Sequence, residues 1–236
     1  MTLLAAVAYA AAARRYGTTR LRAASFAAAL LLVLAVSVTP LGALALHYLL
    51  TAHLVQNVVM AEWAPALAVA GLSTSMAAAL AGRTPLRSLA HPLVALPLWV
   101  LAYVAWHLPP LYEAALEHHL LLHLEHATYF LTGALLWWPV VQAEPHRLGS
   151  GGRSAYLFAA FVFSAPLGLM LSLAPEPFYD FYAEAPRVRG LSPLRDQQIA
   201  GVAMSVAEAV VFFAVFARFF IRFLAEEEAG CSRPRA

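Results

Sequence analysis

Seven apolar runs constrain this chain more than any other feature of its sequence. Most approach or exceed the roughly 20 residues that a helix needs to cross a bilayer, and only the first is clearly short. Arginine, proline or glycine interrupts the sequence between them. The runs lie at about 2–13, 23–45, 52–72, 91–108, 118–141, 155–174 and 198–224. We therefore predict an all-α fold: a polytopic transmembrane helical bundle of about seven helices, the first one short.

Composition supports lipid rather than water as the solvent. Only 12% of the 236 residues are charged, whereas a soluble domain of this length carries about 25%. A net charge of +2 gives no basic field for nucleic acid, so the lipid bilayer is the expected surrounding. We expect one transmembrane helical domain over 1–225 and a short polar cytoplasmic tail over 226–236. The single cysteine, Cys231, leaves no thiolate ligand for a metal within the membrane.

Arginine placement indicates the orientation of the helices. The sequence contains no lysine, and twelve of its fifteen arginines fall in alternate loops on one side of the predicted bundle. The other side holds only Arg187, Arg189 and Arg195, in one loop. Because cytoplasmic loops are enriched in basic residues, we expect the arginine-rich side to be cytoplasmic. The N-terminus is then outside and the C-terminus is cytoplasmic.

This orientation brings seven of the nine histidines to the outer side of the membrane. One group on the fifth span is spaced i, i+4, i+7, which places its members on one helix face. Imidazole is a ligand for copper, zinc and haem iron, and ionisable groups in a membrane are usually functional. The predicted metal ligands are His53, His107, His119, His123 and His126. His47 is expected beside them, at the outer start of the third span.

Further polar or sulfur-bearing residues are candidates to support this site. Methionine near histidine suits copper, because thioethers are soft ligands; Met60 and Met204 are the methionines in question. Glu62 and Glu208 lie near mid-membrane, where they act as a proton or cation relay or as neutral acids bonded between helices. Glu125 lies about 120° from the histidine stripe of its helix and is expected to face another neighbour. The other supporting candidates are His47, Gln56, Asn57, Asp196 and Gln197.

No catalytic motif is present, so the chain is not expected to be an enzyme. Ser164 and Ser172 lack the flanking glycines of a nucleophile elbow. The string His118-His-Leu-Leu-Leu-His lacks the glutamate of a zinc-protease helix, and no glycine-rich phosphate loop occurs.

Several strings in the sequence resemble the CtaG family of cytochrome c oxidase assembly factors. They are His91-Pro-Leu-Val, Trp106-His-Leu-Pro-Pro-Leu-Tyr, His118-His-Leu-Leu-Leu-His-Leu-Glu-His, Leu136-Trp-Trp-Pro-Val and Leu191-Ser-Pro-Leu-Arg-Asp-Gln-Gln. The likeness covers roughly 25–224, and these strings are specific together rather than singly. The resemblance implies a multi-pass protein of the bacterial cytoplasmic membrane that contacts cytochrome c oxidase subunits and assists copper insertion.

The resemblance also implies which residues matter. The matching positions are His53, His107, His119, His123, His126, Asp196 and Gln197. One position departs from the family pattern: the third helix commonly reads His-x-x-Gln-His, whereas Gln56 is followed here by Asn57. Asparagine is a poor copper ligand, so a site that used both histidines loses one unless His47 replaces it.

Other functions remain open from the sequence. Two facing histidines suit haem, which would make the chain a haem- or quinone-binding redox protein. The mid-membrane glutamates suit a cation transporter. The histidines also suit a scaffold without a ligand, in which they bond only to neighbours and water.

Overall fold

The computed structural model describes residues 2–231, with the side chains of Thr84, Gly230 and Cys231 left out. Every regular element in this part of the chain is helical, which confirms the all-α prediction. The helices are α1 (Thr2–Tyr16), α2 (Arg20–Val38), α3 (Pro40–His47), α4 (Leu50–Val58), α5 (Ala64–Gly71), α6 (Thr74–Ala81), α7 (Thr84–Leu89), α8 (Pro92–Trp106), α9 (Pro109–Glu117), α10 (His119–Val141), α11 (Ser150–Leu173), α12 (Asp180–Glu184) and α13 (Pro193–Cys231). A π turn, Val59–Trp63, joins α4 to α5.

Within residues 2–231, four helical segments are long and apolar enough to cross a membrane: Arg20–Val38, Leu50–Gly71, Ser150–Leu173 and Pro193–Ala229. The pair α8 and α9, bent by 73°, adds a fifth if it forms one broken span. The predicted count of seven spans and the orientation of the termini therefore stay predictions.

One predicted span boundary is wrong, and local chemistry gives the reason. The run 23–45 breaks at Thr39, which caps α3 through its hydroxyl, while Pro40 occupies the first turn of α3. Proline has no N–H to continue the preceding helix, and it suits the first turn of a new one. His47 consequently ends α3 instead of opening the third span. At the other end of the chain, α13 continues through the predicted tail as far as Cys231.

The segment Leu50–Gly71 is the centre of the bundle. In its most apolar stretch 72% of the residues are buried, against 11% in α2. Its π turn has a sequence cause: Pro65 cannot donate to the Ala61 carbonyl, and its ring clashes with that carbonyl in a regular helix. The freed carbonyl instead accepts a hydrogen bond from the Trp99 indole at 3.3 Å. A helix that is buried all round can therefore carry polar groups into the core.

The helix ends gather at two poles. We call one pole the histidine end; it comprises the α3–α4, α8–α9–α10 and α11–α13 connections. There Tyr179 donates to the His107 carbonyl at 2.9 Å. At the arginine end, Arg22 donates to the Leu72 carbonyl at 2.8 Å, and the Ser150 hydroxyl donates to Glu226 at 2.9 Å. The candidate site lies at the histidine end.

Candidate metal centre

Three side chains meet inside the histidine end. His53 comes from the first turns of α4, and Glu125 and His126 come from α10. One donor atom of each lies within 4.8 Å of the other two. His53 and Glu125 are fully buried and His126 is half-buried. We call these three residues the His–Glu group.

Hydrogen bonds determine which nitrogen of His53 carries the proton. The Tyr182 hydroxyl donates its proton to the Ala45 carbonyl at 2.5 Å, and its oxygen lies 2.8 Å from His53 Nδ1. A hydroxyl has one proton to give, so it accepts from His53. Burial raises the pKa of the Tyr182 phenol well above its usual range, which keeps that proton in place. His53 Nδ1 is therefore protonated, and Nε2 presents a lone pair to the group.

Asn57 positions the carboxyl group of Glu125. Its Nδ2 donates to Glu125 Oε1 at 3.0 Å, one turn of α4 beyond His53. The same oxygen lies 3.9 Å from His53 Nε2. The residue that departs from the family pattern thus lies beside the group as a donor to one of its members.

Each member of the group has a buried polar atom without a hydrogen-bond partner among the described residues. These atoms are Nε2 of His53, Nε2 of His126 and Oε2 of Glu125. A buried polar atom without a hydrogen-bond partner destabilises the fold by about 1–3 kcal/mol. Three such atoms in one group of residues are therefore unusual unless a ligand binds them. Two imidazole nitrogens and a carboxylate oxygen form a donor set found in metal sites. The residues therefore fit a metal ion.

Tyrosines enclose His53 on the remaining sides. The ring centroid of Tyr112 lies 5.0 Å from that of His53, and Tyr112 stacks on Tyr179 at 4.2 Å. Both tyrosines are buried. Such a wall excludes bulk water and leaves the group with few competing ligands.

His107 lies next to the group without belonging to it. Its Nδ1 is 2.7 Å from the Tyr103 carbonyl, which can only accept, so His107 is protonated at Nδ1. Its Nε2 is buried and unpartnered in the described part of the chain. The 73° bend between α8 and α9 places this ring at the corner of the two helices.

The predicted five-histidine cluster does not form. α10 buries the stripe Leu122, Glu125, Tyr129, Gly133 and Leu136, so its core-facing side is rotated away from the histidine stripe. His119 and His123 are exposed, and only His126, on the border of the buried face, reaches His53. The expectation that Glu125 faces another neighbour was wrong for the same reason.

The predicted supporting residues hold the structure together. Asp196 accepts from the backbone N–H groups of Leu50 and Thr51 at 2.7 and 3.2 Å, so it caps α4 from α13. Gln197 accepts from Phe178 N at 2.7 Å and donates to the Glu176 carbonyl.

The remaining supporting candidates are all buried. Gln56 donates to the Val36 carbonyl at 3.0 Å, which ties α4 to α2. Met60 and Met204 are buried in the core cluster. Glu62 and Glu208 are fully buried, and neither belongs to the His–Glu group.

An acidic cleft of about 360 Å³ lies at the same end of the molecule. His47, which the sequence predicted as a supporting residue of the metal site, lines this cleft instead. Glu113 fixes one wall by accepting from Asp180 N at 2.6 Å, and the short helix α12 separates the cleft from His53. The acidic side chains that line it are Glu113, Glu117, Asp180 and Glu184.

Sequence reasoning missed Glu125 as a candidate ligand and Tyr182 as the residue that orients His53. The adjacency of Glu125 and His126 was a usable signal, because both flank the buried face of α10. Nothing in the sequence distinguishes Tyr182 from the chain's other tyrosines.

Comparison with known proteins gives one positive finding. No curated protein and no solved structure matches the chain. The sequence model of one family, described as cytochrome c oxidase caa3 assembly factor, matches residues 5–226, which is nearly the whole chain. The resemblance carried by the histidine and tryptophan strings is thereby confirmed, and the chain belongs to the family of cytochrome c oxidase caa3 assembly factors.

Proposed function

We propose that this protein assists assembly of cytochrome c oxidase by holding a metal ion at His53, Glu125 and His126. Copper is the first candidate for this ion. One observation carries the proposal: His53, Glu125 and His126 bring one possible donor atom each to within 4.8 Å of the other two, and each has a buried polar atom without a partner among the described residues. Family membership supplies the oxidase as the partner. The metal is cargo, and no reaction is catalysed on it.

The donor set favours an oxidised or borderline ion. Imidazole and carboxylate suit copper(II) and zinc, whereas copper(I) prefers thiolate and thioether sulfur. Copper(II) binds more tightly than zinc to a given site of this kind in the general order of divalent metals. The sequence-based argument from Met60 stays a prediction.

The same three side chains suit release of the metal ion as well as its binding. Three protein ligands leave a coordination position open, which a ligand from an oxidase subunit can occupy during transfer. The absence of thiolate keeps the affinity below that of a permanent store. His107, whose Nε2 is also buried without a partner among the described residues, is a candidate for a fourth ligand.

The proposed setting is the bacterial cytoplasmic membrane, with the histidine end facing outward. Arginine asymmetry supports this orientation. A cation would then approach from the side where four acidic residues line the cleft, and clefts lined by one sign of charge concentrate counter-ions.

The test compares two matched double variants. His53→Ala with His126→Ala removes both imidazoles of the group, and His119→Ala with His123→Ala removes two exposed imidazoles from the same end. Copper bound to protein purified from its own membrane is measured by mass spectrometry, and the copper content of the oxidase is measured in cells that carry each variant as their only copy. The first variant is expected to lose both, and the second to keep both.

Equal copper binding by the two variants would contradict the proposed site. Normal oxidase copper in cells carrying the first variant would contradict its role in assembly. An optical spectrum on the same sample separates the haem alternative, because a Soret band appears only with haem.

A further inference from the structure

Two buried acids lie deep in the bundle, outside the His–Glu group. Glu62 is in the π turn and Glu208 is on α13, and both side chains are fully buried. We propose that these two carboxyl groups form a proton-binding site, in which they share an exchangeable proton. The proposal does not depend on the metal site.

The hydrogen bonds around the pair leave room for one shared proton. Glu208 Oε2 accepts from the Ser164 hydroxyl at 3.0 Å. Glu208 Oε1 and both oxygens of Glu62 have no partner among the described residues. A proton held between one oxygen of each acid would satisfy two of these three atoms in a charge-assisted hydrogen bond, which is a strong type.

Packing brings the two acids together. The Trp63 indole donates to the Ala207 carbonyl at 3.2 Å, and these two residues are the chain neighbours of Glu62 and Glu208. That bond ties the π turn to α13 beside Glu208. Two ionised carboxylates on these neighbouring segments would repel each other in a medium that also disfavours charge, so we expect the pair to hold a proton at neutral pH.

The donor set suits a proton better than a metal ion. Calcium takes about 6–8 oxygen ligands and magnesium needs a near-octahedral shell. The pair offers two carboxyl groups and a serine hydroxyl whose proton is already used. Neither acid makes an ion pair with a basic residue in the described part of the chain, so a proton is what remains to neutralise it.

The helices around the pair carry other titratable groups along their length. The neighbouring helices contribute Tyr103 from α8, Glu125 and Tyr129 from α10, and Arg153 and Tyr156 from α11, while α13 itself carries Arg218. Tyr103, Glu125 and Tyr129 belong to the surroundings of the His–Glu group, and Arg153 lies over the Phe219 ring towards the arginine end. The titration of the pair is therefore expected to be governed by its own two members.

Infrared spectroscopy of the purified protein in lipid nanodiscs tests the proposal. The probe is the carbonyl band of protonated carboxylic acids, recorded across a pH series with a chelator present. Wild type is compared with Glu62→Gln, with Glu208→Gln, with the double variant, and with the surface control Glu117→Gln. Differences between variants cancel the contribution of Glu125, which all samples share.

At neutral pH the band is expected to be present and to shift on deuteration, because the proton exchanges. The part of the band that the pair contributes should be missing in the double variant, and the band should be unchanged in Glu117→Gln. The pair should titrate in two steps that become a single step in either single variant. Ser164→Ala should move the band without removing it, which provides a readout in a variant that keeps both acids.

Three results would overturn the proposal. Absence of the band at neutral pH would mean that no proton is held. Titrations of the single variants that add up to that of wild type would mean two independent acids. Loss of the band on replacing choline chloride by sodium or potassium chloride at equal ionic strength would mean a monovalent cation site instead.

Discussion

His53 has a hydrogen-bond partner at one ring nitrogen and, among the described residues, none at the other. Tyr182 accepts from Nδ1 at 2.8 Å, and no described residue bonds to Nε2. A hydrogen bond to the ring nitrogen that does not face the metal fixes the tautomer and orientation of a metal-binding histidine. The same logic applies to Glu125, which Asn57 holds by one oxygen while the other is free.

Tyr182→Phe tests whether this bond prepares the site. Without the hydroxyl oxygen, Nδ1 loses its acceptor and the ring is free to exchange tautomers. We expect the affinity for copper(II) to fall about 10- to 100-fold, measured by competition with a chelator of known affinity. Tyr48→Phe is the control, since Tyr48 is an exposed tyrosine at the same end. An unchanged affinity in Tyr182→Phe would show that the bond is only structural.

At the scale of elements, the packing of α10 on the central span decides which residues reach the site. Gly133 faces the Ala61 carbonyl and the Pro65 ring so closely that a Cβ there would overlap both. This contact sets the rotation of α10, and with it the inward position of Glu125 and the outward position of His123.

Gly133→Val is expected to force α10 away from the π turn. Overpacking of this kind costs about 1–3 kcal/mol of stability, which would appear as a lower melting temperature in detergent. Copper binding should weaken as well, because Glu125 and His126 move relative to His53. Gly82→Ala is the control, since a Cβ at that position meets only ordinary van der Waals contacts. Equal melting temperatures would show that the close approach is not needed.

Asp196→Ala tests the capping of one helix by another. The carboxylate accepts from Leu50 N, Thr51 N and the Thr51 hydroxyl, so its loss leaves the start of α4 without its cap. Removal of a capping side chain costs about 0.5–2 kcal/mol. The melting temperature is expected to fall in Asp196→Ala and to stay constant in the control Asp180→Ala, which alters an exposed acid. A similar fall in both would contradict the capping role.

At the scale of the whole molecule, the two poles have different chemistry. The histidine end has buried imidazoles, tyrosines and an acidic cleft, whereas the arginine end carries Arg22, Arg153 and Arg222. A protein that delivers cargo to an oxidase needs its loading face on a defined side of the membrane.

Single-cysteine labelling tests the orientation. In a Cys231→Ser background, a cysteine placed at Glu117 is expected to react with a membrane-impermeant maleimide in intact cells. A cysteine placed at Arg87 should react only after permeabilisation, because its loop is on the arginine-rich side. Labelling in the reverse pattern would place the histidine end in the cytoplasm and remove the proposed route for the metal.

The sequence by itself determined the helical fold class, the family and the end of the molecule where the histidines gather. These follow from apolar run length, from motif strings and from the alternation of loops, which are properties of the chain read in order. It also placed His53 and His126 among the candidate ligands. It gave no way to separate them from His119 and His123, because an i, i+4, i+7 stripe says which residues share a face but not which way that face points.

Only the tertiary structure decided the rotation of α10, and so brought Glu125 into the site and left two histidines outside it. Rotation depends on a close approach between Gly133 and Ala61, residues far apart in the chain. The tautomer of His53 and the cap on α4 likewise depend on Tyr182 and Asp196, which reach them across more than a hundred residues. Such contacts exist only once the helices have packed, which is why no local pattern indicates them.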